Sequence, residues 1–316
     1  MPSTPSTPPI HSNGNGDDFP SWWEQLSGLL EVADLTNAAI RRKLDATAAQ
    51  ANNYGLQLIA DWQYAHALPV LTAAIEAWAR LGQIAGLVNA RNLRGAAYRH
   101  LGEHAAALDD YSAAQRLADA RELISAAIHA RCGLAAAYLD MEAHGQAEAP
   151  LAEAQKLAEG QGDPPDAAHV HYWQGRLAEA RKDWLPAQRA YQEAVDIWHA
   201  VPAPAEETEA KAGMMRTLLA QGYAVEAYTM AQQVLRHLAE NGPRRLEDPL
   251  RVYWDVYRVL HMAREEEEAR EMLRAAYTLM VRQMDGLETP EQRERFRERV
   301  PLHREIAETW QKLVSE

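Results

Sequence analysis

The string His100-Leu101-Gly102-Glu103-His104 is the part of this sequence that comes nearest to a catalytic signature. Two His and a Glu at this spacing occur in one class of zinc peptidases, where a helix presents both imidazoles to the metal from one face. Here Gly102 interrupts the string, and a glycine between two helix-forming stretches reads as a turn. His100 and His104 then lie on opposite sides of that turn, and no shared metal is expected. His169 and His171 are two residues apart, so on a helix they face different ways. Cys132 follows Arg131, whose charge would favour a thiolate, but the plainer role for a helical cysteine is small-residue packing. There is no Gly-rich phosphate loop and no Ser-His-Asp or Cys-His set. The residues argue against an enzyme, and no catalytic residue, metal or cofactor is expected.

The elements that would position such residues are helices. Ala dominates, with Leu, Glu, Gln and Arg behind it, and these are strong helix formers. No segment alternates apolar and polar residues over a strand's length. The 316 residues carry a formal charge of −13, which repels phosphate backbones, so no nucleic-acid partner is expected. No apolar run is long enough to cross a bilayer, and the N-terminus lacks the pattern of a secretory leader, so no membrane partner is expected. A single cysteine forms no internal disulfide and fits a reducing compartment, which makes the expected location cytoplasmic.

Residues 1–18 are rich in Pro, Ser, Thr, Gly and Asn and read as a disordered tail. Ser21 with Glu24 matches a capping box, and Trp23, Leu26 and Leu30 then share a helical face. With a further helical stretch after Asp34, through Ile40 and Leu44, residues 19–46 read as an N-terminal helical cap. Beyond them the sequence repeats itself. Gly55, Leu58, Ala67, Leu71 and Ala74 define a pattern that returns as Gly95, Tyr98, Ala107, Tyr111 and Ala114. It returns again as Ala135, Tyr138, Ala147, Leu151, Ala154 and as Gly175, Ala178, Ala187, Tyr191, Ala194. The last two copies are Met215, Leu218, Ala227, Ala231, Val234 and Tyr257, Leu260, Ala269, Leu273, Ala276. The stride is 40 residues, lengthening to 42 at the sixth copy. Small residues let two helices cross closely, and the large residue a turn away fills the space beside the crossing. Residues 47–286 therefore form six helix pairs. Residues 287–316 form a C-terminal helical cap, begun by Thr289-Pro290-Glu291-Gln292, anchored by Phe296 and broken at Pro301.

This pattern resembles the tetratricopeptide repeat family over roughly residues 46–285, most closely in the segment 93–115 with Gly95, Tyr98, Gly102, Ala107, Tyr111 and Ala114. The unit is longer than the usual ~34 residues. It is similar in that respect to the arrays of kinesin light chains, Leu-Gly-Asn-repeat proteins and bacterial STAND-class regulators. The resemblance implies an all-α, right-handed solenoid in which the first helix of each pair lines a concave groove.

Mapped by register, that groove would carry Asn52, Asn89, Asn92, Arg99, His129, His169, Tyr172, Arg176, Arg216, Arg251, Trp254, Arg258 and His261. An Asn amide both donates and accepts, so Asn52, Asn89 and Asn92 suit the backbone of an extended peptide. Arg176, Arg216 and Arg258 fall at equivalent places in successive units and suit acidic side chains. The expected function is a scaffold or sensor that binds a protein or peptide, with an acidic segment held in the groove. The alternative is the effector-sensing part of a STAND-type signalling ATPase or transcription regulator. The sequence does not fix an oligomeric state.

Overall fold

The computed structural model describes residues 20–32, 35–284, 286–287 and 289–315; the expected tail, 1–18, and Asp34 lie outside these. The elements are α1 (Ser21–Glu31), α2 (Ala38–Ala60), α3 (Tyr64–Leu81), α4 (Ile84–His100), α5 (His104–Asp119), α6 (Ile124–Asp140), α7 (His144–Gln161) and α8 (Pro164–Ala180). They continue as α9 (Trp184–Ala200), α10 (Pro204–Ala220), α11 (Ala224–Asn241), α12 (Pro249–Met262), α13 (Glu266–Met284), α14 (Pro290–Arg299) and α15 (Pro301–Ser315). No strand occurs among the described residues. The fold is an α-solenoid of six tetratricopeptide-like pairs, α2/α3 to α12/α13. The first helices α2, α4, α6, α8, α10 and α12 touch in succession and form the inner layer.

Local chemistry sets the pairs. Each first helix ends in a left-handed residue, namely Trp62, Gly102, Glu142, Lys182, Gly222 and Arg264. The next residue's N–H reaches back to the carbonyl of the repeat's large apolar position, as in Glu103 to Tyr98 and Tyr223 to Leu218. That closes the helix end by satisfying a carbonyl with no partner inside the helix. The crossing alanines Ala67, Ala107, Ala147, Ala187, Ala227 and Ala269 are all buried.

One packing rule was not read from the sequence. Tyr111 lies between Gly95 and Gly133: a Cβ on Gly95 would sit 2.9 Å from its ring, and one on Gly133 2.2 Å. Tyr191 is held in the same way by Gly175 and Gly213, at 2.7 and 2.5 Å. Gly133→Ala should therefore lower stability by about 1–3 kcal/mol through overpacking, although alanine is the better helix former. In a Tyr111→Leu background the same change should be neutral or stabilising. Urea melts of the four proteins check both results.

Two expectations about the ends need correction. Pro20, not Ser21, occupies the N-cap of α1. The boundary expected at residue 46 falls inside α2, because Leu44, Thr47 and Ala48 are buried along one unbroken helix of the first pair. At the other end the capping box is present: Thr289 Oγ1 accepts from Gln292 N at 3.2 Å, and Thr289 N donates to Gln292 Oε1 at 3.0 Å. α15 packs on α12 and α13.

The array closes on itself. Trp62, Tyr64 and Leu101 from the first two units share one apolar cluster with Leu250, Trp254, Leu279, Phe296, Leu302 and Ile306 from the last unit and the C-terminal helices. Polar contacts follow the same seam: Arg99 Nη2 to Glu247 Oε1 at 2.7 Å, Arg295 Nη1 to Glu103 Oε1 at 3.3 Å and Arg244 Nε to Asp61 Oδ1 at 3.5 Å.

Candidate functional site

The sequence-selected residues all stand on first helices of the pairs, and they do different work along that layer. In the first three units, Asn89 is exposed and His129 half-exposed. Asn52 is buried and its Oδ1 has no hydrogen-bond partner. At the equivalent place one unit on, Asn92 Nδ2 donates to the Ala126 carbonyl at 3.2 Å, while its buried Oδ1 also lacks a partner. His129 lies 5.0 Å, ring to ring, from His169 and 3.5 Å from Asp166, whose Oδ1 also accepts from Ser125 Oγ at 2.8 Å. Burial, helped by the neighbouring His129 ring, pushes His169 down to about 3. His171 faces elsewhere, to Glu193 at 3.0 Å.

Farther along, the groove is filled by the chain's own charges. Arg99 is buried, held by Asp140 at 2.9 Å and Glu247 at 2.7 Å, with its guanidinium 5.4 Å from the Trp173 ring centre. Arg176 is buried beside Tyr172 and stands over the same Trp173 ring. Arg216 donates twice to Glu179, at 2.7 and 2.8 Å, and once to Asp255 at 2.7 Å. Burial pushes the Glu179 carboxyl up, but Arg216 outweighs it and leaves Glu179 at about 2. Asp255 has a single bond to Arg216, so burial wins there and its carboxyl is raised. Arg251 Nε donates to Asp248 Oδ2 at 3.0 Å. Of the expected row Arg176, Arg216 and Arg258, Arg216 is thus corrected, since it already holds acids of this chain, as do Arg99 and Arg251 outside the row. Arg258 is exposed, Trp254 belongs to the closing apolar cluster, and exposed His261 meets Glu266 at 3.2 Å.

By register Glu179 falls on the same face as Arg176, one unit before Arg216, but its pairing with Arg216 went unread. Glu247 and Asp248 lie in the α11–α12 connection, where the repeat register offers no guide.

The remaining sequence candidates resolve simply. His100 ends α4 and stacks on Tyr64 with ring centres 4.5 Å apart, while His104 starts α5 beyond the turn. Cys132 is fully buried, and burial pushes its thiol up; Arg131 turns instead to Asp119 and Glu153. Cys132 is therefore a packing residue.

No protein-family model matches the sequence, and no curated protein matches it. Solved structures do match. One is a Rap protein complexed with competence and sporulation factor, 16% identical over 91% of this chain and 80% of that one, TM-score 0.60. Another is the Rap conjugation gene regulator of the plasmid pLS20 in complex with the Phr* peptide, 15% identical over 89% and 82%, TM-score 0.54. A third is BtubC (BKLC) from P. vanneervenii, 14% identical over 79% and 94%, TM-score 0.50. At these identities the likeness is one of fold, the helical-repeat solenoid.

Proposed function

We propose that this chain is a peptide receptor whose inner face holds the backbone of an extended segment at Asn52 and Asn92. The observation that carries the reading is the pair of buried Oδ1 atoms without partners at equivalent positions in successive units. A buried acceptor left unpaired is costly, and a small turn of the Asn side chain would offer it to a peptide N–H on the inner face. Asn89 and His129 border the same stretch from its exposed side. The peptide named with one fold neighbour, and the factor named with another, support this class of ligand.

Acidic preference rests on a narrower base. Neither Arg176 nor Arg258 belongs to an ion pair among the described residues, whereas an acid approaching Arg99 must compete with Glu247. The sensor reading draws on the same contact. A ligand that displaces Glu247 from Arg99 acts directly on the seam joining the two ends of the array.

A peptide array supplies a ligand, and calorimetry then tests the site. Asn52→Ala and Asn92→Ala should each weaken binding by about two- to tenfold, the range for one neutral hydrogen bond. The loss should be alike for ligands of different side chains. Wild-type affinity in both alanine variants would sink the proposal.

A further inference from the structure

We propose that the cavity where the first turn meets the last helix pair is a second ligand site, built for an anion with an apolar body. The cavity has a volume of about 380 Å³. Trp62, Pro243, Tyr253 and Leu279 supply apolar wall, and Arg274 and Arg282 stand on α13 two turns apart. It lies on the second helix of the sixth pair, away from the inner-layer asparagines, so it does not depend on the peptide reading.

Charge is the first argument for the ligand. Within a chain of −13, Glu271 is the single acid among the cavity's lining residues, against two arginines. Both arginines are exposed, and neither belongs to an ion pair among the described residues. Pro243 leads directly into Arg244 and Arg245, which are exposed as well. Arg244 meets Asp61 at 3.5 Å, which leaves Arg274 and Arg282 as the unpaired guanidinium groups of the cavity wall, while Arg99, Arg216 and Arg251 are each matched by carboxylates.

Trp62 is the second argument. Five of the six turns put Gly, Glu, Lys or Arg at the left-handed position, where the side chain is absent or free to leave the surface. The first turn puts a tryptophan there, at φ 58°. A bulky aromatic in that region is strained and persists only where its surroundings hold it. The indole is 7% exposed, and its Nε1 has no hydrogen-bond partner. An indole N–H can only donate, and a buried donor without an acceptor is rare. Trp62 lines the cavity, so a small turn of the indole would bring its N–H onto an anionic oxygen there, while the arginines supply charge and the apolar walls take the body of the molecule. A carboxylate-bearing amphiphile and an acidic–apolar stretch of polypeptide share this chemistry.

The probe is 1-anilinonaphthalene-8-sulfonate, an anion with an aromatic body, titrated into the full chain and followed by fluorescence. One saturable site is expected, weakened by added salt. Arg274→Glu with Arg282→Glu, both exposed, should lower affinity at least tenfold with an unchanged circular dichroism spectrum. Trp62→Phe keeps a ring and removes the N–H, and should weaken binding several-fold. Decanoate should displace the dye and decanol should not. Displacement by decanoate assigns a small carboxylate. Displacement by an acetylated hexapeptide of alternating leucine and glutamate assigns a polypeptide segment. Wild-type dye affinity in either variant, equal displacement by decanol, or displacement by neither anion overturns the proposal.

Discussion

Arg216→Glu is expected to abolish the folded array, and Arg216→Met to cost about 3–5 kcal/mol, the range for breaking a buried ion pair from one side. The side chains of Arg216, Glu179 and Asp255 are 8%, 20% and 2% exposed, and the guanidinium joins α8, α10 and α12, the first helices of three successive units. Removing Arg216 strands two carboxylates in a low-dielectric interior, and Glu at 216 adds a third. Tyr191 tightens the cluster, since its hydroxyl donates to Glu179 Oε2 at 2.6 Å and accepts from Arg216 Nη2 at 3.2 Å. The sequence reading assigned Arg216 to the acids of a ligand; the structure gives it the acids of the fold. Arg216→Met combined with Glu179→Leu and Asp255→Leu should recover much of the loss, because a packed apolar replacement leaves no bare charge. Urea unfolding measures each step, and a loss below 1 kcal/mol for Arg216→Met would count against the cluster as a stabilising centre.

Acidification should destabilise the fold through His303, by about 1.4 kcal/mol for each pH unit between 6.5 and about 4. His303 is 5% exposed, and its Nδ1 lies 2.9 Å from the Phe296 carbonyl. Burial holds the imidazole down at about 4, with the Phe296 carbonyl acting against it. The unfolded chain takes up a proton below pH 6.5 that the folded chain refuses until about 4, so this contribution is whole above 6.5 and drains away below it. His100 and His169, pushed down to about 3 first of all by burial, act in the same direction. Glu209 acts in the opposite direction. Burial, reinforced by the nearby Glu247 charge, raises its carboxyl, so the folded state gains a proton before the unfolded state does. Stability measured from pH 7 to 4.5 separates these groups by variant. His303→Gln should flatten the slope by about 1.4 kcal/mol per pH unit. Glu209→Gln, which keeps the acceptor for Asp248 N, should steepen it. Parallel curves for all three proteins would contradict both assignments.

The helices and their pairing were legible because close crossings demand small residues at fixed places, and Ala67 through Ala269 mark those places directly. The tyrosine slots were legible but not read. Twenty-two residues after the large residue of the second helix, Leu71 is followed by Leu93 and Leu151 by Trp173, whereas Tyr111 and Tyr191 are each followed by Gly, at 133 and 213. A bulky ring in one unit is answered by a missing side chain in the next. The inner face was legible as a set of positions but not as a set of partners. Position follows from the 40-residue stride; partnership depends on how tightly the superhelix winds, which brought Glu247 onto Arg99 across 148 residues. Winding accumulates from small rotations between units, and no local pattern encodes their sum.

A row of repeats with two loose ends can fray from either, and each unit then survives or fails largely with its neighbours. In this molecule the turns of the first two units meet the last pair and the C-terminal helices, so the row is drawn into a hoop whose two ends brace each other. Opening any one unit slackens the seam at Trp62 and Phe296, and opening the seam exposes apolar surface from both ends at once. Closing the hoop requires distant parts of the chain to meet, which slows folding, but once closed it couples six otherwise separable pairs into one cooperative body.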